Sequence, residues 1–264
     1  VKRSTFAALT GAVAGTLATK AFAAVSAGAH ATPHGAQRVA MVIYPGMTAL
    51  DMIAPQLIFA ALGNTDVQLV WKDRKTVLSD SGVPIVPTAA FDEVAGGLTV
   101  LFAPGGGGSD VYPLMNDAEV VSFLHRVGPT ADYVTSVCTG ALVLGAAGLL
   151  RGYRATTHWV FHDVLATLGA TPVSERVVVD RNRITGAGVT AGLDFGLKMA
   201  AKLRGDDYAR MLQLMIEYDP QPPFRAGSEA SAGVKVDREV RELFAPLVAS
   251  AKNNAAIARK RLAL

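Results

Sequence analysis

Short apolar runs recur along this chain, and each one ends in a break followed by a helix-length segment. Arg38–Tyr44 (RVAMVIY), Val67–Trp71, Leu98–Phe102 and Tyr133–Val137 are too short to be helices and too apolar to face water. Thr48–Leu62, Asn116–Arg126, Thr139–Ala147, His158–Leu168, Thr190–Leu203 and Asp206–Ile216 read as helices, the first despite Pro55. Strands that alternate with helices predict a three-layer αβα sandwich around a mostly parallel, flavodoxin-like sheet. Thr76–Ser79 and Ile85–Thr88 flank Asp80-Ser81-Gly82 and read as an inserted hairpin. Val177–Asp180 and Arg183–Thr185 pair around Arg181-Asn182, and Arg154–Thr157 is a short strand. Asp219–Gly233 is rich in Pro, Gly and Ser and leads to a last helix from Lys235 to about Arg261.

The beginning of the chain has a different character. Lys2 and Arg3 precede a mildly apolar stretch, Phe6 to Thr19, and Ala21-Phe22-Ala23 forms an A-x-A site. This is the anatomy of an export signal over residues 1–23, too short and too rich in Gly and Thr for a membrane span. The Lys-Arg pair leans toward the twin-arginine route. A periplasmic or exported protein is expected; a start placed elsewhere would leave it cytoplasmic. Residues 24–37 form a flexible lead-in containing His30 and His34, residues 38–228 the catalytic domain, and residues 229–264 a helical extension.

The whole 264-residue chain carries a net charge of +3, which raises the question of nucleic acid. Loss of residues 1–23 removes Lys2, Arg3 and Lys20 and no acid, leaving 22 basic against 22 acidic residues. The fold itself is therefore neutral, and Arg259-Lys260-Arg261 reads as a solvated helix end suited to the dipole. No nucleic-acid partner is expected, nor any membrane contact after signal cleavage.

Only one cysteine is present, which rules out an intramolecular disulfide and a cysteine-based zinc site. Cys138 falls between the strand Tyr133–Val137 and the helix that starts near Thr139. A residue on such a turn stands above the carboxyl end of the sheet, where open α/β folds bind ligands. The layout resembles a nucleophile elbow. Unpaired N–H groups at the helix start are expected to favour thiolate and lower the thiol pKa. The competing reading is a buried small hydrophobe, the usual fate of a lone cysteine.

A nucleophile of this kind needs hydrogen-bond donors and a proton carrier. The run Gly105–Gly108 ends the neighbouring strand, so the backbone N–H groups of Gly105 and Gly106, with that of Thr139, are expected to form an oxyanion hole. Asp51 lies in the first turn of the helix after strand one. It is either a dipole-stabilising carboxylate or, buried beside the thiol, a general acid with a raised pKa. His158 could pair with Cys138 or serve as a supporting residue. His162 lies one helical turn further on, and two histidines without carboxylate or thiol company make no metal site. Asp194, alone among apolar neighbours, reads as a satisfied structural group.

Several segments together resemble the ThiJ/PfpI family of the class I glutamine-amidotransferase-like superfamily, and within it the isonitrile hydratase subgroup. They are Tyr44-Pro45-Gly46 with Leu50-Asp51, Ala103-Pro104-Gly105-Gly106, and Thr135 to Gly145 around Cys138-Thr139-Gly140. Thr156-Thr157-His158-Trp159, Val189 to Phe195 and Glu217 to Phe224 (EYDPQPPF) continue the match. The resemblance implies Cys138 as nucleophile, Asp51 as proton donor and acceptor, and Thr139 and Gly106 near the substrate. It also implies a homodimer, no cofactor and no metal. The expected reaction is hydration of a small-molecule isonitrile, R–N≡C, to an N-substituted formamide. The alternatives are another cysteine hydrolase or glyoxalase-like activity with His158 as base, or a non-enzymatic redox or stress protein in which Cys138 is oxidised. About 30 residues follow Gly233, too few for a paired helix-turn-helix module.

Overall fold

The computed structural model describes residues 37–107 and 111–264. The expected export signal, most of the lead-in with His30 and His34, and Gly108 lie outside the described residues.

Seven strands form the main sheet: β1 (Gln37–Val42), β2 (Thr65–Trp71), β5 (Ala89–Ala90), β6 (Val100–Ala103), β7 (Tyr133–Val137), β10 (Val177–Asp180) and β11 (Arg183–Gly186). Their order is β10-β11-β7-β6-β1-β2-β5, and every pair is parallel except β10 with β11. The central strands β1, β6 and β7 are buried almost along their whole length, as strands covered on both faces must be. Chain direction through the sheet reverses beside β1, which pairs with β2 on one side and β6 on the other. The carboxyl ends at such a point splay the connecting loops apart and leave a crevice.

The covering helices are α1 (Ala49–Ala60), α2 (Ala118–Val127), α3 (Gly140–Ala146), α4 (His162–Thr167), α5 (Ala191–Arg204) and α6 (Asp206–Met215). Asp117 caps α2 by accepting from the N–H groups of Glu119 and Val120. Helices α1 and α5 pack together over a ring cluster in which Phe59, Phe102 and Phe195 meet at centroid distances of 5.5–6.4 Å. Each such pair contributes about 1 kcal/mol beyond its buried area.

The predicted hairpin is present as β3 (Val77–Leu78) and β4 (Pro84–Ile85), but both strands are shorter than expected. The residues just after it form β5 and join the main sheet. The segment expected as a helix from His158 starts instead as a 3-10 turn, Trp159–Phe161, before α4. Arg154–Ala155 forms the two-residue β8, paired with β9 (Thr171–Pro172).

Beyond α6 the chain passes through α7 (Glu229–Ala232) into the long helix α8 (Val234–Arg261). Ala251, Ala255 and Ala258 form its buried seam, and their small side chains let α8 lie close to the domain. Asn116 Nδ2 donates to Asn254 O and Oδ1 at 3.0 and 3.1 Å. Arg261 donates to Asn116 Oδ1, Met115 O and Ala146 O at 2.7–2.9 Å. The basic end of α8 is thus more than a solvated terminus, because Arg261 caps the last carbonyls of α3.

Candidate active site

Three adjacent strands deliver the site. Asp51 follows β1, Gly105 and Gly106 follow β6, and Cys138 follows β7, all at the carboxyl edge.

Cys138 has φ of +56°, a left-handed conformation that costs a side-chain-bearing residue about 1–2 kcal/mol. The surroundings hold it there. Its N–H donates to Gly186 O and Ala187 O at 3.1 and 2.8 Å, and the Thr157 hydroxyl donates to its carbonyl at 2.9 Å. The turn also needs Gly140, since a Cβ there would fall 2.1 Å from Ala103 O. A strained residue between β7 and α3 is the expected elbow.

The thiol is buried, with 5% of the residue exposed. Burial pushes its pKa well up, and the nearby Asp51 carboxylate adds to that. N–H groups of Val189 and Thr139 donate to the sulfur and work the other way, but burial wins. The expectation that the helix start lowers the thiol pKa is therefore corrected: burial and the Asp51 carboxylate push it up.

Asp51 is completely buried. Burial raises its pKa to about 7, against the opposing hydrogen bonds from the Cys138 thiol and the Gly105 N–H. Gly105 N donates to Oδ2 at 2.9 Å. Oδ1 is buried and accepts no N–H or O–H. Asp51 is thus buried with the thiol as its partner and its pKa raised, the condition under which it would act as a general acid.

The glycine loop works differently from the expected oxyanion hole. Gly105 N–H is taken by Asp51, and Gly106 N–H donates to Thr139 Oγ1 at 2.9 Å. Thr139 Oγ1 donates back to Gly106 O at 3.0 Å. Thr48 N–H donates to Gly105 O, and the Tyr44 hydroxyl donates to Pro104 O at 2.7 Å. Both loop donors are thus spent on fixing Asp51 and Thr139, and neither is free for a substrate anion. A Cβ on Gly105 would lie 2.5 Å from Thr139 N and 2.7 Å from both Asp51 Oδ2 and Cys138 Cβ. That one point shows how tightly the acid, the nucleophile and the helix start converge on the loop.

His158 does not join this cluster. It stacks on Phe244 of α8 at 5.1 Å and meets Phe161 edge-on at 6.0 Å. Burial, with a contribution from His162, lowers its pKa to about 4. Its ring lies against Gly188 and helps line a cavity of about 430 Å³ with Thr157, His162, Arg176, Val189 and Glu229. Thr157 holds the Cys138 carbonyl and Val189 donates to its sulfur, so the cavity abuts the nucleophile although neither Cys138 nor Asp51 lines it. Asp194 is satisfied, accepting from Arg176 Nε and the Tyr218 hydroxyl at 2.7 and 2.8 Å. Among the described residues no group of His, Cys, Asp or Glu could hold a metal ion.

Two residues of the site were not singled out from the sequence, although Val189 lies in a segment that carries the resemblance. The Val189 donor is a backbone group, and Tyr112 follows the glycine loop without any periodic pattern. Tyr112 is buried beside Cys138, and its hydroxyl has no hydrogen-bond partner.

A parallel sheet with a buried cysteine on a strained elbow beside a buried acid defines a cysteine-centred α/β protein. The chain belongs to the DJ-1/PfpI family, whose pattern it matches over residues 37–202. It is 47% identical to the isonitrile hydratase of Pseudomonas putida over 211 residues, 80% of this chain and 91% of that protein. A crystal structure of a ThiJ/PfpI family protein from Pseudomonas syringae superposes with a TM-score of 0.81 at 48% identity, covering 86% of this chain and 98% of that one. A DJ-1 superfamily protein from Salmonella typhimurium gives a TM-score of 0.61 at 28% identity, covering 70% and 100%.

Proposed function

We propose that this protein is an isonitrile hydratase-like enzyme that adds water to R–N≡C to give R–NH–CHO. The observation that carries the reading is the buried Cys138 thiol hydrogen-bonded to a buried carboxyl poised near neutral pH. The likeness to a hydratase that acts on isonitriles supports the choice of substrate.

The terminal carbon of an isonitrile is electrophilic and sterically open. As Cys138 Sγ bonds to it, the Asp51 carboxylate takes the thiol proton and passes it to that carbon. The product is a thioimidate, S–CH=N–R. Water then adds at the same carbon, losing a proton to Asp51, which returns it to nitrogen. The C–S bond of S–CH(OH)–NHR breaks, and sulfur recovers a proton from the hydroxyl as the formamide carbonyl forms. Thr139, through its N–H, supports the sulfur as charge develops on it. Gly105 and Gly106 position Asp51 and Thr139. No charged recognition group is needed for a small apolar R.

His158 is a poor base for the rival hydrolase reading, since a group with a pKa near 4 takes up a proton weakly. Purified protein mixed with cyclohexyl or p-nitrophenyl isocyanide should yield the formamide, and Cys138→Ala should yield none. Inactivity of the native chain, or activity in Cys138→Ala, would overturn the assignment. We also propose export directed by residues 1–23, checked by fractionation and N-terminal sequencing, and a homodimer, checked by light scattering.

A further inference from the structure

The buried polar groups at this site are not all accounted for by the mechanism above. Tyr44 has its hydroxyl committed to Pro104 O. Tyr112 has 1% of its surface exposed, and its hydroxyl meets neither a donor nor an acceptor. A buried hydroxyl without a partner is costly, by an amount comparable to a lost hydrogen bond, and calls for an explanation, of which a catalytic role is one.

The position of Tyr112 is held from several sides. Its ring packs on Phe161 with centroids 5.5 Å apart. Its carbonyl accepts from Met115 N at 3.1 Å, which fixes the start of the turn Pro113–Asn116. The side chain of the preceding Val111 lies against Gly106, within 2.7 Å of where a Cβ would stand. Val111 and Tyr112 therefore press on the same loop that fixes Asp51 and Thr139. Burial and the neighbouring Cys138 both push the phenol pKa well up, so the group stays protonated and can only donate while its proton remains.

We infer that Tyr112 is a catalytic residue of the second half-reaction, donating its O–H to the substrate nitrogen. This rests on the isonitrile reading and deepens it. The isonitrile nitrogen has no free lone pair, so the donor is idle while the substrate enters. Attack by sulfur and protonation of carbon create the thioimidate C=N, whose nitrogen has one. As water oxygen bonds to carbon, the C=N pair moves onto nitrogen. The Tyr112 O–H stabilises that charge, and the proton lost by water to Asp51 neutralises it. No oxidant or reductant is involved, and the phenol proton is conserved. A donor that engages only after the first step accelerates that later step selectively.

Tyr112→Phe separates this assignment from a structural one. It removes a hydroxyl with no partner, so the variant should fold with a melting temperature equal to or above that of the native protein. With cyclohexyl isocyanide, kcat should fall about 100-fold and KM should fall with it, leaving kcat/KM within about threefold of native. Intact-mass analysis should show a Cys138 adduct, heavier by one isonitrile, that forms at nearly the native rate and then persists. Tyr44→Phe should show no such accumulation. Native activity with an unaltered kcat in Tyr112→Phe, or a lower kcat without accumulated adduct, would overturn the role of Tyr112 and leave the hydratase reading standing. Inactivity of the native protein toward isonitriles would overturn both.

Discussion

The two ends of helix α1 are built on opposite rules. Just past its carboxyl end, the carbonyls of Ala61, Leu62 and Gly63 each accept from a side-chain donor. The Tyr208 hydroxyl donates to Ala61 O at 2.7 Å, while Arg204 donates to Leu62 O, Gly63 O and Gln37 Oε1 at 2.7–3.0 Å. At its amino end Asp51 sits fully buried, one oxygen bonded to Gly105 N–H and the other accepting no N–H or O–H. The difference separates anchoring from chemistry. A saturated cluster rigidifies and specifies a fold, whereas an unsaturated one stores free energy that a reacting molecule can release. The anchored end holds the open end in place.

The largest effect should come from closing the open end chemically. Asp51→Asn cannot carry the thiol proton, and kcat should drop about 1,000-fold. The same change should stabilise the protein in a pH-dependent way. Asp51 has a folded pKa of about 7, raised from 3.8. Between those values the native state holds a proton that the unfolded chain has lost, so native stability falls as pH rises from about 4 to about 7. The full difference is roughly 4 kcal/mol. Melting temperatures of the two proteins should coincide near pH 4, separate as pH rises to about 7 and stay apart above it, with Asn higher. The native kcat should also rise through an acid limb near pH 7 as Asp51 becomes a base, and Asp51→Asn should lack that limb.

Crowding the open end is the next test. Gly105→Ala places a methyl 2.5–2.7 Å from Thr139 N, Asp51 Oδ2 and Cys138 Cβ, and one of these must move. An approximately 100-fold loss of kcat is expected, since small misplacements of reacting groups are expensive. Loosening the anchored end should do the reverse. Arg204→Met should lower unfolding free energy by about 2 kcal/mol in urea melts, with kcat within twofold of native. A large loss of kcat in Arg204→Met would show that the two ends are not separable. The smallest effect is expected from His158→Phe, which keeps the stack on Phe244 and should change kcat less than threefold in steady-state assays.

Much of the fold was legible because the central strands are short, largely apolar runs, and those of β1 and β6 are closed by Pro-Gly. Cys138 could be placed because it directly follows such a strand, and Asp51 because it opens the helix after another. The two-residue strands β5 and β9 left no trace, since two residues have no period and their pairing is decided by tertiary packing. The direction of the thiol pKa shift was misread from the helix start because a dipole argument contains no information about burial. The oxyanion expectation failed for a related reason: Gly105 and Gly106 do offer N–H groups, but those groups turn inward to Asp51 and Thr139. Tyr112 was missed because an unpartnered hydroxyl is defined only by what surrounds it. The seam Ala251, Ala255 and Ala258 could have been read from its helical spacing as the mark of a helix lying close on a neighbour.

That close-lying helix bears on how the protein is handled. Arg261 grips Ala146 O at the far end of the helix that begins beside the nucleophile, and Leu262 and Leu264 cover Gly148 and Gly169. A purification handle joined directly after Leu264 would tug on those contacts. Kinetic constants measured with such a handle and after its removal would then differ for a mechanical reason, before any residue of the site is changed.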